Sequence, residues 1–368
     1  MKLNDEQQML QDSVARLMAD KGPVSHLREL RDRNDEKGYD EPLWHAMVES
    51  GLTGILVPEE HGGIGFGLVG AGLVAREIGR NLSVTPFLST AVLGATALAT
   101  GGSAEQQQKW LPAIAEGSVI TALAVDDGAK HRPEAIKTEA KAAGDGVTLN
   151  GGKLLVLDAH VADLLLVAAR QGESTALFLV DPKAEGVSIE RNRMVDDRNA
   201  ARVTLDNVAA EPMADGAAAL AALAAALRAG RAVLAAELSG LAREAFERTL
   251  QYLKERKQFG RLIGTFQALQ HRAALLMGEV SMSDALAMQA LDACDRNADD
   301  AEVQVLAAKA KAARVALLAG QEAVQMHGGI GMTDEFDIGF FLKRARAGGE
   351  TLGDANYCAD RFAALRDY

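Results

Sequence analysis

The order of hydrophobic patterns constrains this chain more than any single motif. A stretch of short β-type runs, residues 118–214, is set between two long regions of helical periodicity. The runs are TALAV, GVTLNGGKLLVL, ADLLLVAAR, STALFLV, GVSIE and ARVTLDNV, punctuated by the turn pairs Asp145-Gly146 and Asn150-Gly151. No helix-length pattern separates them, so a small antiparallel β domain is expected rather than βαβ units. The chain therefore reads as α+β: helices over 1–117, a β domain over 118–214 and a helical bundle over 215–368. Its 368 residues suffice for two or three domains. Aromatics at 4 % and abundant alanine favour a helix-rich body.

The N-terminal segment is an amphipathic helix through Leu3, Leu10, Val14 and Leu17, and is too polar for a signal peptide. GILVP, ending at Pro58, is short, apolar and strand-like, and leads into the glycine-rich loop PEEHGGIGFG. Beyond Ala217, Leu234, Leu238, Leu241 and Ala245 recur at helical spacing, with Leu253 slightly off phase. QFGRLIGTFQ interrupts this pattern, which resumes to about Asn297 and again over Val303–Met326, ending at His327-Gly328-Gly329-Ile330-Gly331. The longest apolar stretch, AAALAALAAAL at 217–227, is too short and too alanine-rich to span a bilayer.

A net charge of −12 gives the chain no general attraction for nucleic acid or an anionic membrane, although a local basic cluster could still hold an anionic CoA ester. Cys294 and Cys358 form no CxxC pair and no metal set, and read as reduced structural thiols of a cytoplasmic protein.

Three segments carry chemistry. Gly65-Phe66-Gly67-Leu68-Val69-Gly70 matches the dinucleotide fingerprint by letter. However, Glu59 and Glu60 would repel a pyrophosphate and no further strand–helix alternation follows, so it reads as a glycine-rich loop before a helix. A nicotinamide dehydrogenase would rest on that match alone. Arg256-Lys257-Gln258-Phe259-Gly260, followed by Phe266-Gln267 and Gln270-His271, places cations where one long helix stops and the next starts. Arginine there can grip phosphate, Phe259 can cover a flat ring and Gln267 can donate to phosphate or base. In Gln325-Met326-His327-Gly328-Gly329-Ile330-Gly331, three glycines after a helix allow a ligand close to the backbone, though glycine there also serves as an ordinary C-cap.

Taken together, these segments make the chain resemble the acyl-CoA dehydrogenases along nearly its whole length. VPEEHGGIGFG with AREIGR is similar to that family's N-terminal domain, and LNGGKLLVL with ADLLLVAAR to its β domain. LKERKQFGRLIGTFQALQHRAA and QMHGGIGMTDEFDIGFFLKRARA resemble its strongest signatures. The resemblance implies an N-terminal all-α domain, a central antiparallel β domain and a C-terminal α bundle of the four-helix type. It also implies a dimer or dimer of dimers with each FAD between two subunits, an acyl-CoA substrate, and an electron-transfer flavoprotein or similar acceptor. Arg256, Phe259, Gln267, Gln325, Gly328 and Gly329 would then hold the ADP half of an FAD whose ring lies in the neighbouring subunit.

The departures fall on the catalytic side. The family's glutamate base sits at one of two places, which here are Leu352, before Gly353, and Gly230, before Arg231. Glu350 lies about 200° round a helix from Leu352, and Glu237 lies about 10 Å along the axis from Gly230. Where the family has a threonine-bearing segment against the flavin ring, this chain has Val125-Asp126-Asp127, with His131-Arg132 in place of a following serine-aspartate pair. A second family threonine, after an aromatic residue, corresponds to Leu157 after Leu155. Aliphatic side chains make no hydrogen bonds to a ring, and each buried edge left unpaired loses roughly 1–3 kcal/mol. Asp126 and Asp127 are expected to add negative charge there. The pattern resembles the small, non-catalytic subunits of heteromeric acyl-CoA dehydrogenases acting on dicarboxyl-CoA or steroid side chains. Two alternatives are a homo-oligomer with a displaced base at Glu350 or Glu237, and a structural or CoA-ester-binding protein with no redox role.

Overall fold

The computed structural model describes residues 2–144 and 146–368. Along the chain run α1 (Asp5–Lys21), α2 (Val24–Asp32), α3 (Glu41–Glu49), α4 (Gly67–Asn81), α5 (Ala95–Gly101) and α6 (Ala104–Ala115). The strands β1 (Thr121–Ala124), β2 (Glu139–Ala143), β3 (Gly146–Leu157), β4 (Leu164–Gln171), β5 (Ser174–Val180), β6 (Val187–Arg193) and β7 (Asn199–Asp215) follow. Then come α7 (Gly216–Glu255), the short strands β8 (Lys257–Gln258) and β9 (Arg261–Leu262), α8 (Gln267–Asp295), α9 (Ala301–His327), α10 (Ile338–Glu350) and α11 (Ala355–Ala364). The chain divides into two compact units. A helical unit comprises Met1–Glu29, Leu68–Ser83 and Arg231–Tyr368, and a β-containing unit comprises Leu30–Gly67 and Val84–Gly230.

In the helical unit, α1 starts on a capping box: Asn4 accepts from the Gln7 amide at 2.8 Å and Gln7 from the Asn4 amide at 3.1 Å. Val14 and Met18 are its buried residues, with Leu10 and Leu17 half-buried. α4 and α7 approach backbone to backbone. A Cβ on Gly79 would strike the Glu237 carbonyl, and one on Gly240 the Arg76 carbonyl. The bundle core is aliphatic and alanine-rich, with Leu234, Leu238 and Leu241 on α7, Leu276, Val280 and Leu291 on α8, and Val305, Leu306 and Val315 on α9, all buried. The most apolar window of α7 has mean hydropathy 1.6 and is 61 % buried, as befits a core helix.

In the β-containing unit a seven-stranded sheet pairs in the order β1-β4-β2-β3-β7-β5, with β6 on β7, and a β4–β5 ladder returns the path on itself. The ladders are antiparallel except for β1–β4 and a single β2–β4 bridge, which are parallel. The β2–β3 hairpin lies between β1 and β4 in sequence and is long enough to serve as a crossover. Two local expectations change. GILVP is not a strand: Leu52–Gly54 form a 3-10 turn, and the Gly54, Ile55 and Val57 carbonyls are bonded by the amides of Ile64, Phe66 and Gly65 in the glycine-rich loop. With that loop as partner, Ile55 and Val57 bury fully without a ladder. Asn150-Gly151 is not a turn but a register shift inside β3, with Gly151 at φ 148 against Thr138. Asp145 of the other expected turn lies outside the described residues.

Candidate functional site

The residues expected on the nucleotide side are gathered at helix termini of the helical unit. α7 ends one residue before Arg256, and β8–β9 make a hairpin whose corner is Phe259 and Gly260, with φ 54 and 77. Two positive φ values are what a type I′ turn demands. Phenylalanine in that conformation costs about 1–2 kcal/mol. Its ring is nevertheless 89 % exposed, meeting Phe266 edge-on at 6.1 Å while the Arg261 guanidinium lies 4.2 Å over the Phe266 ring. A large aromatic held strained and facing solvent points to a ligand. α8 begins at Gln267, and five residues on Arg272 grips Glu322 of α9 bidentately at 2.7 and 2.9 Å.

The other wall is the end of α9. Gly328 stops the helix at φ 66, and a Cβ on Gly328 or Gly329 would meet no atom within 4 Å. No packing demand explains the pair, and the backbone there stands open. Tyr252 of α7 stacks on His327 at 4.3 Å and donates to its carbonyl at 3.3 Å. Burial holds the His327 imidazole below its usual pKa, and its Nδ1–H donates to Ala323 O at 2.8 Å. Through this stack and the Arg272–Glu322 pair, the α7, α8 and α9 termini are fixed together. Arg256, Phe259, Gln267, Gln325, Gly328 and Gly329 are all exposed there.

The β-containing unit handles the segment after β1 differently. Asp126 accepts from the Arg132 amide at 2.8 Å and contacts His131 Nδ1 at 2.8 Å. Asp127 accepts from Thr138 Oγ1 at 2.5 Å, from the Lys137 amide and from Lys153 Nζ at 2.8 Å. Lys153 also donates to Val125 O at 2.8 Å and is fully buried. Burial works to raise the Asp127 carboxyl, yet the bonds from Lys153, Thr138 and Lys137 hold it below the usual range. Burial pulls the Lys153 ammonium below its ordinary value. The two carboxylates are therefore both engaged, Asp126 within its own loop and Asp127 by the loop and by Lys153 of β3. Leu155, at φ 54, is 52 % exposed.

Back in the helical unit, α10 ends at Glu350, which is exposed, and the following turn puts Leu352 at φ 57. Arg231 Nε donates to Leu352 O at 2.9 Å, and Lys309 Nζ to Gly349 O at 2.9 Å and Gly353 O at 3.1 Å. Burial pushes the Lys309 ammonium down to about 8. Glu237 is buried with its carboxylate 3.6 Å from Arg344, which donates to the Leu82 and Ser83 carbonyls at 3.2 and 3.3 Å. Gly230, the last residue of the β-containing unit, is buried within α7.

Family models of the acyl-CoA dehydrogenase N-terminal, middle and C-terminal domains match residues 4–118, 123–208 and 219–363. The chain belongs to the acyl-CoA dehydrogenase family. Acyl-CoA dehydrogenase IpdE2 of Mycobacterium tuberculosis is 32 % identical over 95 % of this chain and 93 % of its own length. The Tcur3481-Tcur3483 steroid ACAD G363A variant superposes with a TM-score of 0.90 at 33 % identity, covering 99 % of this chain and 98 % of that one. The ChsE4-ChsE5 complex from Mycobacterium tuberculosis gives 0.90 at 26 % identity, covering 100 % and 98 %. Members of the family are oxidoreductases.

In this chain the dinucleotide-like GxGxxG is closed by protein. The N-terminal amides of α4, Leu68 and Val69, donate to the two carboxylate oxygens of Asp295 at 2.6 and 2.9 Å, so the helix end already holds its anion. Asp295 and Lys309 stand in no motif that the sequence offers. Lys153 carried a signal, a lysine inside the aliphatic run GGKLLVL, which in a buried strand demands a partner.

Proposed function

We propose that this chain is a subunit of an FAD-dependent acyl-CoA dehydrogenase, supplying ADP-side contacts to a cofactor whose ring and catalytic base belong to a homologous partner. One observation carries this reading. Six exposed residues, Arg256, Phe259, Gln267, Gln325, Gly328 and Gly329, converge at one set of helix ends, whereas the two base positions hold Leu352 and Gly230. In that role Arg256 grips phosphate, Phe259 covers the adenine or ribose face, the glutamines donate, and the Gly328–Gly329 backbone lets the nucleotide close in. Bound FAD supplies the acceptor for the hydride that leaves the acyl chain. The three-domain division at 1–117, 118–214 and 215–368 is kept with this reading, supported by the matched spans. The steroid enzyme and the two-component complex among its relatives support a bulky acyl group and a heteromer.

A displaced base has less support. Glu237 is engaged by Arg344, and Glu350 is exposed at the end of α10. The test is to purify the chain alone and co-produced with a homologue that carries the glutamate, then measure bound flavin by absorbance and acyl-CoA oxidation. The chain alone is expected to be inactive and the pair yellow and active. Full flavin loading with normal turnover by the single chain would overturn the proposal, and a colourless pair would favour a role without redox chemistry.

A further inference from the structure

We infer that the segment 125–138 is a self-locked plug that keeps any flavin ring out of this chain's own β domain, with the buried Lys153–Asp127 ion pair as its bolt. The inference rests on the nucleotide reading above and specifies its other half: the chain contributes to one end of a cofactor and to no other.

The argument starts from satisfied polar groups. A loop that receives an aromatic heterocycle must leave donors facing outward, because the ring's nitrogen and oxygen edge needs them. Here the two carboxylates and the hydroxyl of the segment are turned inward. Asp126 closes the turn to Arg132 and engages His131, and Asp127 closes the longer span to Lys137 and Thr138. The Thr138 hydroxyl, the one alcohol in this arrangement, is committed to Asp127 at 2.5 Å. The Asp126 carbonyl is taken by the Leu154 amide at 2.8 Å and the Val125 carbonyl by Lys153, so the loop is tied to β3 as well as to itself. Opening it for a ligand would expose the fully buried Lys153 ammonium without its counter-ion, and a cation so placed strongly resists losing its partner. What the β3 bulge presents outward instead is Leu155, an aliphatic side chain with nothing to donate.

The partner's chemistry follows. It must be a homologue whose equivalent loop is free of such a bolt, and the assembly must carry one flavin for every two chains. The experiment uses the intact chain and three probes: ADP, FMN and FAD, titrated by calorimetry with flavin fluorescence followed in parallel. The inference expects ADP and FAD to bind within about threefold of one another, and FMN to show no binding up to about 1 mM. R256A should weaken ADP and FAD by the same factor. FMN binding, or FAD binding more than about thirtyfold tighter than ADP, would overturn the plug while leaving the nucleotide reading intact. Failure of ADP and FAD alike, with FMN also silent, would strike the nucleotide reading and support the closed ring side. Flavin content of a co-purified pair gives an independent check: one flavin per two chains supports the plug, and one per chain overturns it.

Discussion

Replacing Asp127 by alanine should destabilise the chain by about 3–5 kcal/mol at pH 7, because it strands a buried cation. The size follows from the geometry. Lys153 has no side-chain exposure and Asp127 has 9 %, so neither charge is substantially relieved by water. Deletion removes the 2.8 Å ion pair and orphans the Thr138 hydroxyl and the Lys137 amide. The ammonium can escape by releasing its proton, which sets a ceiling. From an unfolded value of 10.5, staying neutral at pH 7 costs roughly 5 kcal/mol at about 1.36 kcal/mol per pH unit. The pH dependence then has a defined sign. In the variant the folded chain binds one proton fewer than the unfolded chain, so its stability rises by up to about 1.4 kcal/mol per unit from pH 7 towards 10. Wild type, with Asp127 holding the proton on Lys153, should show less of this slope. Urea melts at pH 7, 8 and 9 on wild type, D127A and D127A/K153M form the test. The double variant still lacks the bonds from Thr138 and Lys137 and also loses the one to Val125 O, but it carries no stranded cation and should recover most of the deficit. A deficit below about 1 kcal/mol that is flat across pH, or a double variant as unstable as D127A, would refute the idea of a desolvated bolt.

Three further outcomes are expected. Phe259→Ala should leave the melting temperature within about 1 °C, since the ring is 89 % exposed, but should weaken ADP and FAD binding about tenfold or more, read by calorimetry. Asp158 is half-buried at φ 55 and takes a 2.6 Å bond from Ser89; desolvation pushes its carboxyl up to about 6 from 3.8. Its raised folded value means stability falls by roughly 3 kcal/mol as pH rises from 4 through 6. Asp158→Asn should flatten that fall in thermal melts at pH 4.5, 6 and 7.5. Lys309, depressed by burial to about 8 from 10.5, has the opposite sign. Stability attributable to it rises by roughly 3 kcal/mol between pH 8 and 10.5. Lys309→Met should remove this rise in denaturant melts.

What was legible in the sequence was whatever repeats at short range. The short β-type runs of 118–214 pointed to the β domain, and the helical spacing of Leu234, Leu238 and Leu241 to α7, because both patterns are written in nearby residues. The residues of the β8–β9 hairpin and the α9 glycine turn stood out for the same reason, each set lying within a few positions of a helix end. The errors had a common cause. GILVP carries the composition of a strand, but its carbonyls are met by the loop amides of Ile64, Gly65 and Phe66, and Asn150-Gly151 has the letters of a turn inside a bulged strand. In both places the decisive partner is a different part of the chain, which local propensity does not encode.

On the proposed half-site reading, the loops that would otherwise face a ligand must find their polar partners within the protein. Losing a ligand-binding group in a buried loop leaves polar atoms without partners, and such atoms destabilise the fold unless something replaces the ligand. At 125–138 the replacement is a pair of carboxylates with Lys153, and at 349–353 it is Arg231 and Lys309 on the carbonyls of Gly349, Leu352 and Gly353. Even the nucleotide-like helix start at Leu68 has its anion supplied by Asp295. In each place a protein group stands where an open site would require a ligand, whereas at Arg256, Phe259, Gln325 and Gly328 the groups stay exposed. Internal satisfaction in one region and exposure in the other is the physical difference between a vestigial and a working half-site. On that criterion the proposed half-site role falls to the end of the chain that carries Arg256, Phe259, Gln325 and Gly328.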